Sequence, residues 1–120
     1  MSVSEVAPFQ LSETPSAIEL VAKYFRALGE PTRLRILELL AEEELSVGEL
    51  VDRLGRAQPK VSNHLACLRW CGFVESRREH RTVFYRLADE RVAQVLTLGR
   101  ALLADNAAHV AACATVDGRC

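Results

Sequence analysis

The chain has 120 residues, enough for one domain with a single modest core. Apolar residues make up 49% and charged residues 26%, values of an ordinary globular protein and far from a disordered composition. No apolar stretch is long enough to span a bilayer, and the N-terminus lacks a positive start followed by an apolar run, so a cytoplasmic protein without a secretory signal is expected.

The formal net charge is −1, but it is unevenly spread. Between Arg53 and Arg86 lie eight basic residues and two acidic ones, a net of +6, whereas the remainder holds seven basic and fourteen acidic residues, a net of −7. A basic block between acidic flanks is the footprint of a DNA-reading segment; a solvated basic face, or a surface for an acidic protein partner, is the alternative.

Residues 1–14 show no sustained period and read as an N-terminal arm. From Pro15 the apolar residues Ile18, Val21, Ala22, Phe25 and Leu28 recur at helical steps, with Gly29 expected as the C-cap. Pro31 opens a second helix, dense in Leu34, Ile36, Leu37, Leu39 and Leu40, that closes in the acidic run Glu42-Glu43-Glu44. Ser46 with Glu49 forms a capping box for a short helix Val47–Leu54, which Gly55 ends. A fourth helix begins at Gln58-Pro59 and stops at Gly72. Two helices joined by a tight glycine-containing turn, the second rich in Ser, Asn, His, Lys and Arg, predict a helix-turn-helix.

Two strand-like runs follow, Phe73–Arg77 and Thr82–Leu87, joined by the polar Arg78-Glu79-His80-Arg81. Such a hairpin, with a cationic tip, reads as a wing placed against phosphate or a minor groove. Asp89 caps a last helix bearing Val92, Val95, Leu96, Ala101, Leu102 and Leu103. That helix is too apolar for a terminal helix on so small a domain, so it and the first helix are expected to pair with their copies in a homodimer, which would also present two recognition helices to two half-sites. The fold class is thus mainly α with a small β-hairpin: a winged helix-turn-helix over residues 15–105, followed by a loosely ordered C-terminal tail, 106–120.

On the fourth helix, Val61, Leu65 and Leu68 share the core side, while Gln58, Ser62, Ala66, Arg69 and Asn63 share the side suited to a groove. Ser, Asn and Gln hydrogen-bond base edges or phosphates, and Arg takes guanine in a bidentate grip. The DNA-contact set is Gln58, Lys60, Ser62, Asn63, His64 and Arg69, with Arg78, His80 and Arg81 from the wing. His64 has a structural reading beside the phosphate-facing one, and His80 a merely solvated one. Trp70 and Tyr85 read as packing residues. No nucleophile-base set, phosphate-cradling glycine loop or paired carboxylates appear, so no enzyme is expected.

The cysteines are Cys67, Cys71, Cys113 and Cys120, and closely spaced thiols in a cytosolic chain point to metal binding or redox sensing more than to disulfides. Cys67 and Cys71, at i and i+4, fall on one face of the fourth helix, away from the DNA side, where both thiolates can ligate one soft metal ion. Small apolar packing residues are the plainer reading of the pair. A further donor would come from Cys113, with Cys120, His109 and His64 as weaker candidates. A rival chemistry is thiol oxidation or persulfidation, which the distortion needed for a disulfide within a helix disfavours.

The blocks Ala27-Leu28-Gly29-Glu30-Pro31-Thr32-Arg33-Leu34-Arg35-Ile36-Leu37, Val61-Ser62-Asn63-His64-Leu65, Gly72-Phe73-Val74 and Arg81-x-Val83-x-Tyr85-x-Leu87 resemble the ArsR/SmtB family of metal-responsive repressors, over roughly residues 16 to 105. The resemblance implies a winged-helix homodimer that binds operator DNA when metal-free and lets go when an inducer binds. Two family sites look absent: Ser46 stands where many members carry a cysteine, and Asp89-Glu90-Arg91 with Leu102 stand where the zinc-sensing branch carries its Asp-x-His and later His. The segment His64 to Gly72 resembles the cadmium- and lead-sensing branch, whose two recognition-helix cysteines are completed by a C-terminal cysteine, here matched by Cys113. A mercury-responsive member would look much the same. The implied inducer is Cd, Pb or Hg, held by Cys67, Cys71 and Cys113.

Overall fold

A computed structural model of the chain describes residues 16–113. The arm 1–14 and Cys120 lie outside the described residues. The elements run α1 (Ala17–Ala27), α2 (Pro31–Glu42), β1 (Leu45–Ser46), α3 (Val47–Leu54), α4 (Gln58–Trp70), β2 (Val74–Glu79), β3 (Thr82–Leu87), α5 (Glu90–Ala104) and α6 (Ala107–Ala112).

Local chemistry sets the boundaries. Ser16 and Glu19 form a capping box at the start of α1, and Ser46 and Glu49 form another on α3, with Glu49 N–H donating to Ser46 Oγ at 3.1 Å and Ser46 N–H to Glu49 Oε1 at 2.8 Å. Helix α1 ends on Leu28 in the right-handed region, one residue before the expected glycine. Helix α3 ends on Gly55, at φ 65 and ψ 30. Helix α4 ends in a Schellman turn: Gly72 N–H donates to Arg69 O at 3.0 Å and Phe73 N–H to Leu68 O at 2.9 Å, with Gly72 at φ 83. The apolar contact that completes this motif is present, because Leu68 and Phe73 are both buried in one core.

The wing is larger than a hairpin. Ser46 does more than cap α3: with Leu45 it forms a short strand, giving a three-stranded antiparallel sheet in the order β1-β3-β2. Leu45 pairs with Tyr85 and Val74 with Leu87. Strands β2 and β3 run on to Glu79 opposite Thr82, leaving His80 and Arg81 as a two-residue turn with His80 at φ 60. Arg77 fastens the wing to the α2–β1 loop. Its Nε and Nη2 donate to the two Glu44 carboxylate oxygens at 2.9 Å each, Nη1 donates to Glu79 at 3.1 Å, and the guanidinium lies 4.6 Å from the Phe84 ring centre.

The core lies where α2, α3, α4 and the sheet meet: Ile36, Leu37, Leu45, Leu50, Val61, Leu65, Leu68 and Phe73 are almost wholly buried. Helices α1 and α5 pack less completely. Ile18 (72% exposed), Phe25 (54%), Leu98 (62%) and Leu102 (63%) leave broad apolar faces on both helices, and an apolar groove runs between them, lined by Phe25, Leu28, Leu34, Val95, Leu96 and Leu103. An ion pair of Arg100 with Glu38 ties α5 to α2. Beyond α5 the tail is not loose throughout: residues Ala107–Ala112 form a further helical turn, α6. No described helix is long and apolar enough to cross a membrane.

Candidate nucleic-acid interface and thiol pair

Proline in the first turn and an N-cap without a side-chain bond start α4 as an exposed end. Burial of Val61, Leu65 and Leu68 fixes its roll, turning Gln58, Lys60, Ser62, Asn63 and Arg69 outward. Gln58 and Ser62 line an open groove together with Ser46, Val47 and Gly48 at the start of α3 and Arg81, Thr82, Val83 and Tyr85 of the wing. The fold therefore brings helix and wing residues onto one surface. The contribution of the α3 start was not legible from the sequence, because it depends on β1 pairing with β3.

The ion pairs sort the basic block. Arg53 is matched to Glu43, Arg77 to Glu44 and Glu79, and Arg86 to Glu75. Arg56, Lys60, Arg69, Arg78 and Arg81 have no ion-pair partner among the described residues. Arg69 makes one contact, from Nη1 to Ser76 Oγ at 3.4 Å. Arg78, His80 and Arg81 stand exposed at the wing tip. His64 is turned inward: its Nδ1 accepts from Arg33 Nε at 3.2 Å, and Nε2 lies 3.9 Å from Glu30 Oε1. Arg33 also reaches Ala27 O at 3.4 Å, so this network joins α1, α2 and α4. That is the structural reading of His64.

Cys67 and Cys71 occupy the last turn and C-cap of α4, half-buried against the core. Their side chains stand one helical turn apart on the same strip of α4. Burial pushes the Cys71 thiol up, the neighbouring Cys67 adds to this, and Arg33 and Lys23 pull the other way. Cys71 and Trp70 line an apolar groove with Ala17, Leu20, Val21, Lys23 and Tyr24 of α1. Tyr24 stacks on Phe73, ring centres 4.3 Å apart, and burial followed by the nearness of Cys71 raises its phenol. Tyr24 thus bridges α1 and the thiol end of α4, which helical periodicity alone did not single out. Tyr85 packs against the core as expected. Trp70 does not: it is 86% exposed, about 200° round the helix from the buried Leu68.

Cys113 is the half-buried C-cap of α6. Among the described residues of one chain, no three His, Cys, Asp or Glu side chains gather closely enough to hold a metal ion, so within a protomer Cys113 stands apart from the pair. Asp89, at the position of the zinc-branch site, is tied up by Arg91 at 2.7 Å, and that guanidinium holds its carboxyl down to about 2.

Comparison with known proteins identifies this arrangement. The profile of bacterial regulatory proteins of the arsR family matches residues 30–76. A probable mercury resistance operon repressor from Streptomyces lividans is 42% identical over 100 residues, covering 83% of this chain and 80% of that one. The chain belongs to the ArsR family. Its members are DNA-binding transcriptional regulators and not enzymes, and this ArsR-family chain is a transcriptional repressor. The crystal structure of M. tuberculosis Rv0081 superposes with a TM-score of 0.75 at 35% identity, over 82% of this chain and all of that one. The solution structure of a homodimeric winged helix-turn-helix DNA-binding domain from Mycobacterium bovis, a possible ArsR-family regulator, gives 0.69 at 34% identity, over 77% and 85% of the two chains.

Proposed function

We propose that this ArsR-family repressor is a homodimer that holds operator DNA when metal-free and releases it on binding a thiophilic metal ion, Hg(II), Cd(II) or Pb(II). The reading rests on the Cys67–Cys71 pair, two half-buried thiols one helical turn apart on the rod that carries Gln58 and Ser62. Soft metals prefer thiolate donors, and the two side chains offer a ready pair of them. Mercury, which is satisfied by two or three thiolates, suits a protomer that gathers no third ligand among its described residues, and the resemblance to a probable mercury resistance operon repressor supports the same choice. Cys113, which stands apart from the pair within a protomer, is the third donor for Cd or Pb when it reaches the pair from the other protomer.

The apolar faces of α1 and α5 are the dimer surface, as the homodimeric neighbour supports. Gln58, Ser62, Asn63 and Arg69 read the groove, and Lys60, Arg78, His80 and Arg81 contact the backbone. Because Cys71 borders α1 through Tyr24, a change at the thiols is felt by the dimerising helix before the base-reading face. By linkage the metal binds free repressor more tightly than operator-bound repressor, a coupling of about 1–3 kcal/mol in ordinary cases.

The competing reading is oxidation or persulfidation of the same thiols. A thiol whose burial favours the protonated form is a slow nucleophile, which weighs against it. The test is release from promoter DNA by each metal and by peroxide or polysulfide, for wild type and each Cys→Ser variant. Metal-driven release lost in Cys67→Ser and Cys71→Ser, with thiolate-to-metal charge-transfer absorption lost in parallel, is expected. Unchanged absorption in those variants would place the site elsewhere.

A further inference from the structure

A second cationic feature lies outside both the recognition face and the thiol pair. Arg35 of α2 and Arg56 of the α3–α4 turn flank an open cleft whose other walls are Pro31, Thr32 and Leu54. Both guanidiniums are exposed, and neither has an ion pair or hydrogen bond among the described residues. The acidic groups nearby are spent or turned away. Glu30 accepts from Arg33 N–H at 3.1 Å, Glu38 pairs with Arg100, and Asp52 is about 200° round α3 from Leu54.

Two planar forks without a carboxylate partner, facing one cleft, suit a phosphate diester. Position selects which one. The cleft sits at the C-terminal end of α3, whereas the wing groove sits at its N-terminal end, and Arg56 is two residues before Gln58, at the inserting end of α4. The two clefts therefore lie at opposite ends of α3, one holding Gln58 and Ser62 of the recognition helix and the other holding Arg56 just ahead of it. We propose that Arg35 and Arg56 form a second phosphate clamp, gripping the backbone of double-stranded DNA beside the α3–α4 turn while the wing grips it from the other end of α3. Such contacts set register and orientation and carry no base information.

The test uses the full-length, reduced, metal-free protein and short labelled duplexes of unrelated sequence, with affinity followed by anisotropy across a KCl series. In Arg35→Gln/Arg56→Gln protein the slope of log affinity against log salt should fall by about 0.9 for every arginine removed from the complex, equally on every duplex. The Arg35→Lys/Arg56→Lys protein, with its charges intact, should keep the wild-type slope, separating charge from folding. An unchanged slope in the glutamine variant, a slope lost equally in the lysine variant, or a loss confined to one sequence would overturn the clamp. Phosphate replacing chloride at equal ionic strength should displace DNA equally from wild type and variant. Selective displacement from wild type would instead make the cleft a site for free phosphate.

Discussion

Glycine at the end of the recognition helix offers a clean perturbation of the thiol pair. Gly72 sits at φ 83 and Gly55 at φ 65, and a Cβ at either position would meet nothing within 4 Å. The cost of Gly72→Ala or Gly55→Ala is therefore backbone strain alone, about 1–2 kcal/mol for an L-residue in the left-handed region. A stiffer unfolded chain returns about 0.4–1 kcal/mol of this, leaving a net loss near 1 kcal/mol for each variant. For a domain of this size that lowers Tm by about 4–8 °C. The two variants should thus melt alike, in scanning calorimetry at matched protein concentration. They should differ at the thiols. Gly72 adjoins Cys71 and is the left-handed residue of the Schellman turn, so the strain of Gly72→Ala falls on the thiol end of α4 and should weaken Hg(II) or Cd(II) binding several-fold, whereas Gly55→Ala should leave it unchanged. Equal losses of metal affinity in the two proteins would show that the turn does not position the pair. A Tm drop several times larger for Gly72→Ala would reveal a steric conflict that the open surroundings exclude.

Metal affinity should rise with pH. Cys71 is raised above 9.0, so near neutrality it is proton-bound and displacing its proton contributes about a tenfold gain per pH unit; a pH-independent isotherm between about pH 6 and 8, where Cys71 stays protonated, would contradict this. Stability should fall at alkaline pH. Cys71 and Tyr24 both have folded-state values raised above their ordinary 9.0 and 10.0, so their contribution is intact below those values and is lost as pH climbs through the folded ones. Cys71→Ser/Tyr24→Phe protein should show a shallower alkaline decline in Tm, and an identical decline would assign the effect elsewhere. Trp70, the single tryptophan, neighbours Cys71 along the chain, so one equivalent of Hg(II) per protomer should quench its emission, and undiminished emission with the metal bound would argue against this site. Leu98→Glu, placing a charge on a residue 62% exposed in the single chain, should give a monomer by sedimentation and abolish high-affinity promoter binding; a stable dimer would move the interface off α5.

Local chemistry made much of this fold readable in one dimension. Apolar spacing located the helices, Ser46 with Glu49 marked the start of α3, and Gly55 and Gly72 marked two helix ends, because capping and left-handed backbone depend on residues adjacent in the chain. The roll of α4 was readable for the same reason: Val61, Leu65 and Leu68 had to face inward. What required the third dimension were pairings between distant segments. Strand β1 exists only because Leu45 and Ser46 meet Tyr85 and Phe84. The division of the basic block into paired and unpaired arginines depends on Glu43 and Glu44 folding back onto Arg53 and Arg77. His64 bonds Arg33, thirty-one residues away, and Trp70 was left in solvent by the helix roll. A helix-turn-helix carrying two thiols at i and i+4 thus follows from neighbouring residues alone. That Cys71 borders α1 at Tyr24 depended on the fold, since burial and long-range contact follow from packing and not from spacing.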